Sequence, residues 1–94
     1  MILPYKRKIL PIHFENILSG NKTFELRKED REQFEPYHFI HLYEWSEEKF
    51  TGRILVCSIL AVHREIEGIE KGFAILSIRL DRAYTENENE GVSI

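Results

Sequence analysis

The sequence predicts a mainly β domain, an α+β fold in which about five strands form a small barrel carrying one or two short helices. Three observations predict it. Residues 24–27, 39–45, 50–62 and 73–80 are rich in β-branched and aromatic residues, and turn or loop residues separate them. Only one short segment, residues 11–18, has apolar residues at helical spacing. Finally, 94 residues with 43% hydrophobic and 12% aromatic content suit a single domain with one modest core.

The elements follow in chain order. Tyr5 to Leu10 opens with three basic residues, Lys6, Arg7 and Lys8, which at the start of a strand are ordinarily just exposed. Pro11 suits the first turn of a helix, where its missing N–H costs nothing. Phe14, Ile17 and Leu18 then give that helix one apolar side, and Gly20 stops it. Two turns are marginal alone, so the helix must be held by packing on the sheet.

Gly20-Asn21 is turn chemistry, and the alternation after it has the period of a strand. Period two predicts Phe24 and Leu26 in the apolar packing, with Thr23, Glu25 and Arg27 on the opposite face. Residues 29–36 are a charged connection ending at Pro36. A strand follows over 39–45, then a four-residue polar hairpin tip over 46–49. Residues 54–62 are too continuously apolar for a one-faced strand and are expected to run through the barrel centre or bend. Residues 63–72 are a loop with room for one helical turn, and 73–80 form the last buried strand. The folded domain is expected over 1–83. Residues 84–94, rich in Glu and Asn, have nothing to bury and read as an acidic disordered tail.

Charge and composition exclude several classes of function. The chain carries a net −3, yet residues 1–31 hold seven Lys or Arg against four acids, leaving the remainder at −6. An acidic chain is a poor general binder of phosphate backbones, although a local basic patch can hold one nucleotide or a short strand. The single Cys57 lies in an apolar run and cannot pair internally, which points to a reduced thiol and the cytoplasm. No stretch approaches the ~20 apolar residues of a membrane-spanning helix, and the apolar N-terminus is too short for a signal peptide. No membrane partner is expected. His13, His38, His41 and His63 lack ligand spacing, so neither metal nor cofactor is expected. Neither a phosphate-binding Gly loop nor a nucleophile elbow occurs.

What remains is the cluster Lys22, Glu25 and Arg27, followed by Asp30 and Arg31, with Glu44 as an outlying candidate. Charged residues on a strand are most often a solvated face in which each pair contributes roughly 0–1 kcal/mol. The sharper reading is a polar pocket in which Lys22 and Arg27 hold an anion or carbonyl and Glu25 orients them.

The ordered set Gly20-x-Lys22-x-x-Glu25-x-Arg27 resembles the G-x-K-x-x-E-x-R signature of ASCH domains in the PUA-like superfamily. With Ile9-Leu10-Pro11, Asp30-Arg31, Tyr43-Glu44 and Thr51-Gly52-Arg53, the likeness extends over residues 5–80 to a small ASCH-related family of unknown function in bacteria and phages. Two departures accompany it. Tyr5 stands where relatives commonly carry a His, and Pro36-Tyr37-His38 stands where they carry a Gly-Asp turn.

The resemblance implies a PUA-like barrel that binds RNA or a modified nucleoside between the early helix and the barrel. Lys22 and Arg27 would meet phosphate or carbonyl groups, Glu25 would accept from a base amine, and Tyr43 or Trp45 would stack. Some ASCH relatives are amidohydrolases that remove an acyl group from cytidine's exocyclic amine, using the motif Lys, a Thr two residues before the motif Arg, and a distant Glu. Here the Thr position is Glu25. Lys22 and Glu25 would be catalytic only if this alternative held, with Glu25 acting as a base on water. Binding of RNA or a nucleotide therefore ranks first, amide hydrolysis second and a protein-binding accessory role third.

Overall fold

The computed structural model describes residues 2–86. Its elements are β1 (Tyr5–Ile9), α1 (Pro11–Leu18), β2 (Phe24–Lys28), β3 (Phe39–Ser46), β4 (Lys49–His63) and β5 (Phe73–Thr85). The five strands form one sheet in the order β1-β3-β4-β5-β2, curled into a half-barrel. The β1–β3 pair is parallel and the other three are antiparallel. The predicted fold class is the one observed.

The curl has a local cause. Between β4 and β5 the register shifts at Val56/Cys57 and at Ile59/Ala61, and such irregularities bend and twist long strands. The bending brings the sheet's two edges, β1 and β2, towards each other, and the Arg27 Nη2 donates to the Lys8 carbonyl across the gap at 2.8 Å. Residues 54–62 are apolar but for Ser58 because β4 is the middle strand of a sheet buried on one face and partly covered on the other.

The core is built from Ile9, Phe14, Ile17, Phe34, Ile40, Leu42, Leu55, Cys57, Ile59, Ala74, Leu76 and Ile78. Burial pushes the Cys57 thiol up to about 12, so it packs as an unreactive small hydrophobe. Pro11 occupies the first turn of α1 as predicted, and Phe14 and Ile17 are buried while Leu18 is exposed.

Three expectations need correction. The hairpin tip is a two-residue turn, because Glu47 and Glu48 both take the positive φ that a tight primed turn demands. The connection after β2 is not merely charged, since Phe34 is wholly buried in the core. Glu29 accepts from the Phe34 N–H at 2.7 Å, and Arg64 bonds both the Glu29 carboxylate and the Phe34 carbonyl, so the ions hold the plug in place. Lastly, β5 runs to Thr85, past the expected domain end at 83. There the Glu86 N–H donates to the Gly52 carbonyl, and a Cβ on Gly52 would overlap the Glu86 carbonyl oxygen. The rest of the expected tail lies outside the described residues.

Tyr5 and His38, which the sequence reading sets apart from the pattern it resembles, meet in space. Tyr5 and His38 stack, the Tyr5 hydroxyl lies 3.2 Å from His38 Nδ1, and the same hydroxyl accepts from the Glu35 N–H. Tyr5 thereby fixes the turn in which Tyr37 adopts positive φ.

Candidate functional site

The turn after α1 places the first site residue. Gly20 has a φ of +86°, and the Lys22 N–H donates to the Asn16 carbonyl at 2.9 Å, tying the start of the motif to the helix. Lys22 Nζ then reaches Glu25 Oε1 at 2.8 Å and lies 3.4 Å from His13 Nδ1 on α1. Arg27 meets Glu25 Oε2 at 2.7 Å while also bonding the Lys8 carbonyl of β1. One carboxylate therefore holds two cations, and through them a helix and a facing sheet edge.

These residues line a cleft of about 580 Å³ together with Lys8, Leu10, Phe24 and Leu26. The structure brings Lys22, Glu25 and Arg27 together, yet it inverts their strand. Glu25 is 3% exposed, whereas Phe24 and Leu26 are 47% and 45% exposed. The alternation holds with its inside and outside exchanged. β2 is an edge strand, and its inward side faces the open edge of β1, where a backbone carbonyl needs a donor. A polar side chain answers that need and an apolar one does not.

The other predicted residues lie elsewhere. Asp30 and Arg31 are exposed, and Arg31 lines a different hollow beside Arg7 and Glu32. Tyr43 is buried and so unavailable for stacking. Trp45 packs edge-on against Phe50 with Lys8 Nζ 3.9 Å from its ring centroid. Phe24, assigned to the core from its spacing, is the exposed ring that borders the cleft, with Lys22 Nζ 5.3 Å from its centroid.

Glu44 belongs to a separate network. It accepts from Arg53 at 2.9 and 2.7 Å and from the Thr51 hydroxyl at 2.6 Å. Arg53 also reaches Glu15 of α1 at 2.6 Å and lies over the Phe14 ring. This clamp docks α1 on β3 and β4. The hydrogen bonds from Arg53 hold the Glu44 carboxyl below its usual 4.5, outweighing the opposing effect of burial.

A folded pKa below the unfolded one contributes stability above the unfolded value, and that stability is lost as pH falls through the folded pKa. Glu29, through Arg64, and Asp81, through Ser58 and Arg79, have the same sign. His41, pushed down by burial from 6.5, adds a loss that begins nearer neutrality. The Tm is expected to slope gently below about pH 6.5 and steeply below about pH 4.5. Glu44→Gln should lower it at pH 7 and flatten the acid limb; an unchanged limb would remove Glu44 from the acid response.

Among the described residues, no helix is long and apolar enough to cross a membrane. The fold and site define a small half-barrel domain with a cleft between its edge strands and its helix, in which the Lys22–Glu25–Arg27 ion cluster sits among largely apolar walls. A family model described as a domain of unknown function, DUF3850, matches residues 5–78, and the chain belongs to that family. No curated protein matches the chain.

Proposed function

We propose that this domain is an ASCH-type, PUA-like module that binds a nucleotide or RNA in the cleft at Lys22, Glu25 and Arg27, acting in the cytoplasm. The observation that carries the reading is the state of Glu25. Each of its oxygens already holds a cation, so it works as a brace that fixes Lys22 and Arg27 and not as a free base for water. Braced cations suit phosphate or carbonyl oxygens. The cleft volume of about 580 Å³ is within the ~300–1,000 Å³ range of small-molecule sites. The exposed Phe24 ring offers a stacking surface of a kind worth roughly 1–3 kcal/mol per base.

The test is a thermal-shift screen with UMP, CMP, acylated cytidine and a short single-stranded RNA. A ligand at about 100 times its Kd should add roughly 2.7 kcal/mol. Lys22→Ala and Arg27→Ala should each weaken binding by on the order of tenfold or more. Absence of any shift in the wild type would overturn the proposal and leave a protein-binding accessory role to be tested.

A further inference from the structure

Lys22 lines two hollows. The second, of about 500 Å³, lies at the other end of α1 and is lined by Leu18, Ser19, Thr23, Leu60, Ser77 and Arg79, among others. Leu10 and His13, at the helix start, line the first hollow, and Ile17 to Gly20, at its end, line the second. The eight-residue helix between them spans about 12 Å, a length that covers roughly three stacked nucleotides at ~3.4 Å each.

The charges on this surface run against the chain's overall sign. Among the described residues, Lys8, Lys22, Arg27 and Arg79 line the two hollows and Glu25 is the one carboxylate that lines them, already paired with Lys22 and Arg27, while Asp81 pairs with Arg79 from beside the second hollow. This is a local positive surface on a protein of net charge −3. Arg79 is held in place by Asp81 at 2.9 Å and lies 3.2 Å from the Ser58 hydroxyl, while its side chain remains 64% exposed. The remainder of the guanidinium is thus open to a ligand.

From this juxtaposition we infer that the two hollows form one track for a single-stranded oligonucleotide, with Lys22 at the junction and Arg79 contacting a second phosphate. The inference rests on the nucleotide-binding reading of the first hollow and narrows it to linked nucleotides. The cations act on the phosphates and the Phe24 ring on a base, a combination that tolerates sequence and depends on salt.

The experiment is fluorescence anisotropy of the full chain with labelled tetrauridylate, competed by unlabelled UMP, with a deoxy tetramer as a parallel arm. One or both tetramers should bind at least about tenfold tighter than UMP. Arg79→Ala should remove most of that advantage and lower the salt slope by about 0.7, leaving UMP competition within about twofold; Arg79→Lys should restore it. Tetramers binding no tighter than UMP, or an advantage that survives in Arg79→Ala, would overturn the track while leaving the nucleotide site standing. If neither UMP nor a tetramer binds the wild type, the functional reading itself fails and the track falls with it.

Discussion

Phe14→Ala is expected to destabilise the domain by roughly 3–5 kcal/mol, the range for removing a fully buried aromatic ring from a core. Phe14 is 1% exposed, and its ring also lies 4.2 Å from the Arg53 guanidinium that links α1 to Glu44. Truncation therefore opens a cavity and removes a cation–π contact together. With each kcal/mol worth roughly 4–8 °C in a domain of this size, the Tm should fall by more than about 10 °C. Leu18→Ala is the control, because Leu18 is 41% exposed and should cost only about 0.5 kcal/mol. Thermal unfolding followed by circular dichroism measures both, and equal losses would mean that α1 is not docked through Phe14. The loss should also reach the cleft, since His13 is on this helix and the backbone of Lys22 is bonded to it.

Phe14 and Leu18 also show where sequence reading stops. Both lie at helical spacing on the apolar side of α1, but only the curvature of the sheet decides which of them is covered. Pro11, Gly20 and the strand-rich stretches carry local signals strong enough to place the helix and the sheet. Phe34 carries none, because it is a single aromatic among charged residues. Its burial depends on Arg64 and Glu29, which are 35 residues apart in sequence and 2.6 Å apart in space. Long-range ion pairs of this kind have no signature in composition or periodicity.

The site was legible as a motif and illegible as a surface. Glu25 and Arg27 share a face, as strand alternation requires, and Lys22 joins them from the turn after α1. Which face is inside depends on what the strand meets, and β2 meets a helix turn and the carbonyl edge of β1 rather than apolar side chains. Glu44 and Arg53 carried the family likeness equally well, yet they fasten the helix and do not join the Lys22 cluster. Arg79 gave no signal, because its place beside the second hollow depends on β5 lying between β4 and β2.

The second large effect is expected at Glu25, where stability and chemistry can be read from one variant. Glu25→Gln keeps the shape but turns one oxygen into an NH2 group, which must face a Lys22 or Arg27 donor with nothing to accept. Breaking a fully buried ion pair by removing one partner costs roughly 3–5 kcal/mol. Lys22 and Arg27 retain 16% and 21% side-chain exposure, so water relieves part of this and a loss of about 2 kcal/mol is expected. Turnover separates the two functional classes. A binding module should release no acyl group from acylated cytidine in either protein, and the variant should bind UMP more weakly because its cations are no longer braced. A hydrolase using Glu25 as a base should instead turn over in the wild type and lose about 10²–10⁴ in rate in the variant while still binding substrate. Acyl release followed by chromatography, alongside UMP titration of both proteins, gives the answer. Release by the wild type that the variant abolishes would replace binding with hydrolysis as the function, and undiminished release by the variant would place the catalytic base elsewhere than Glu25.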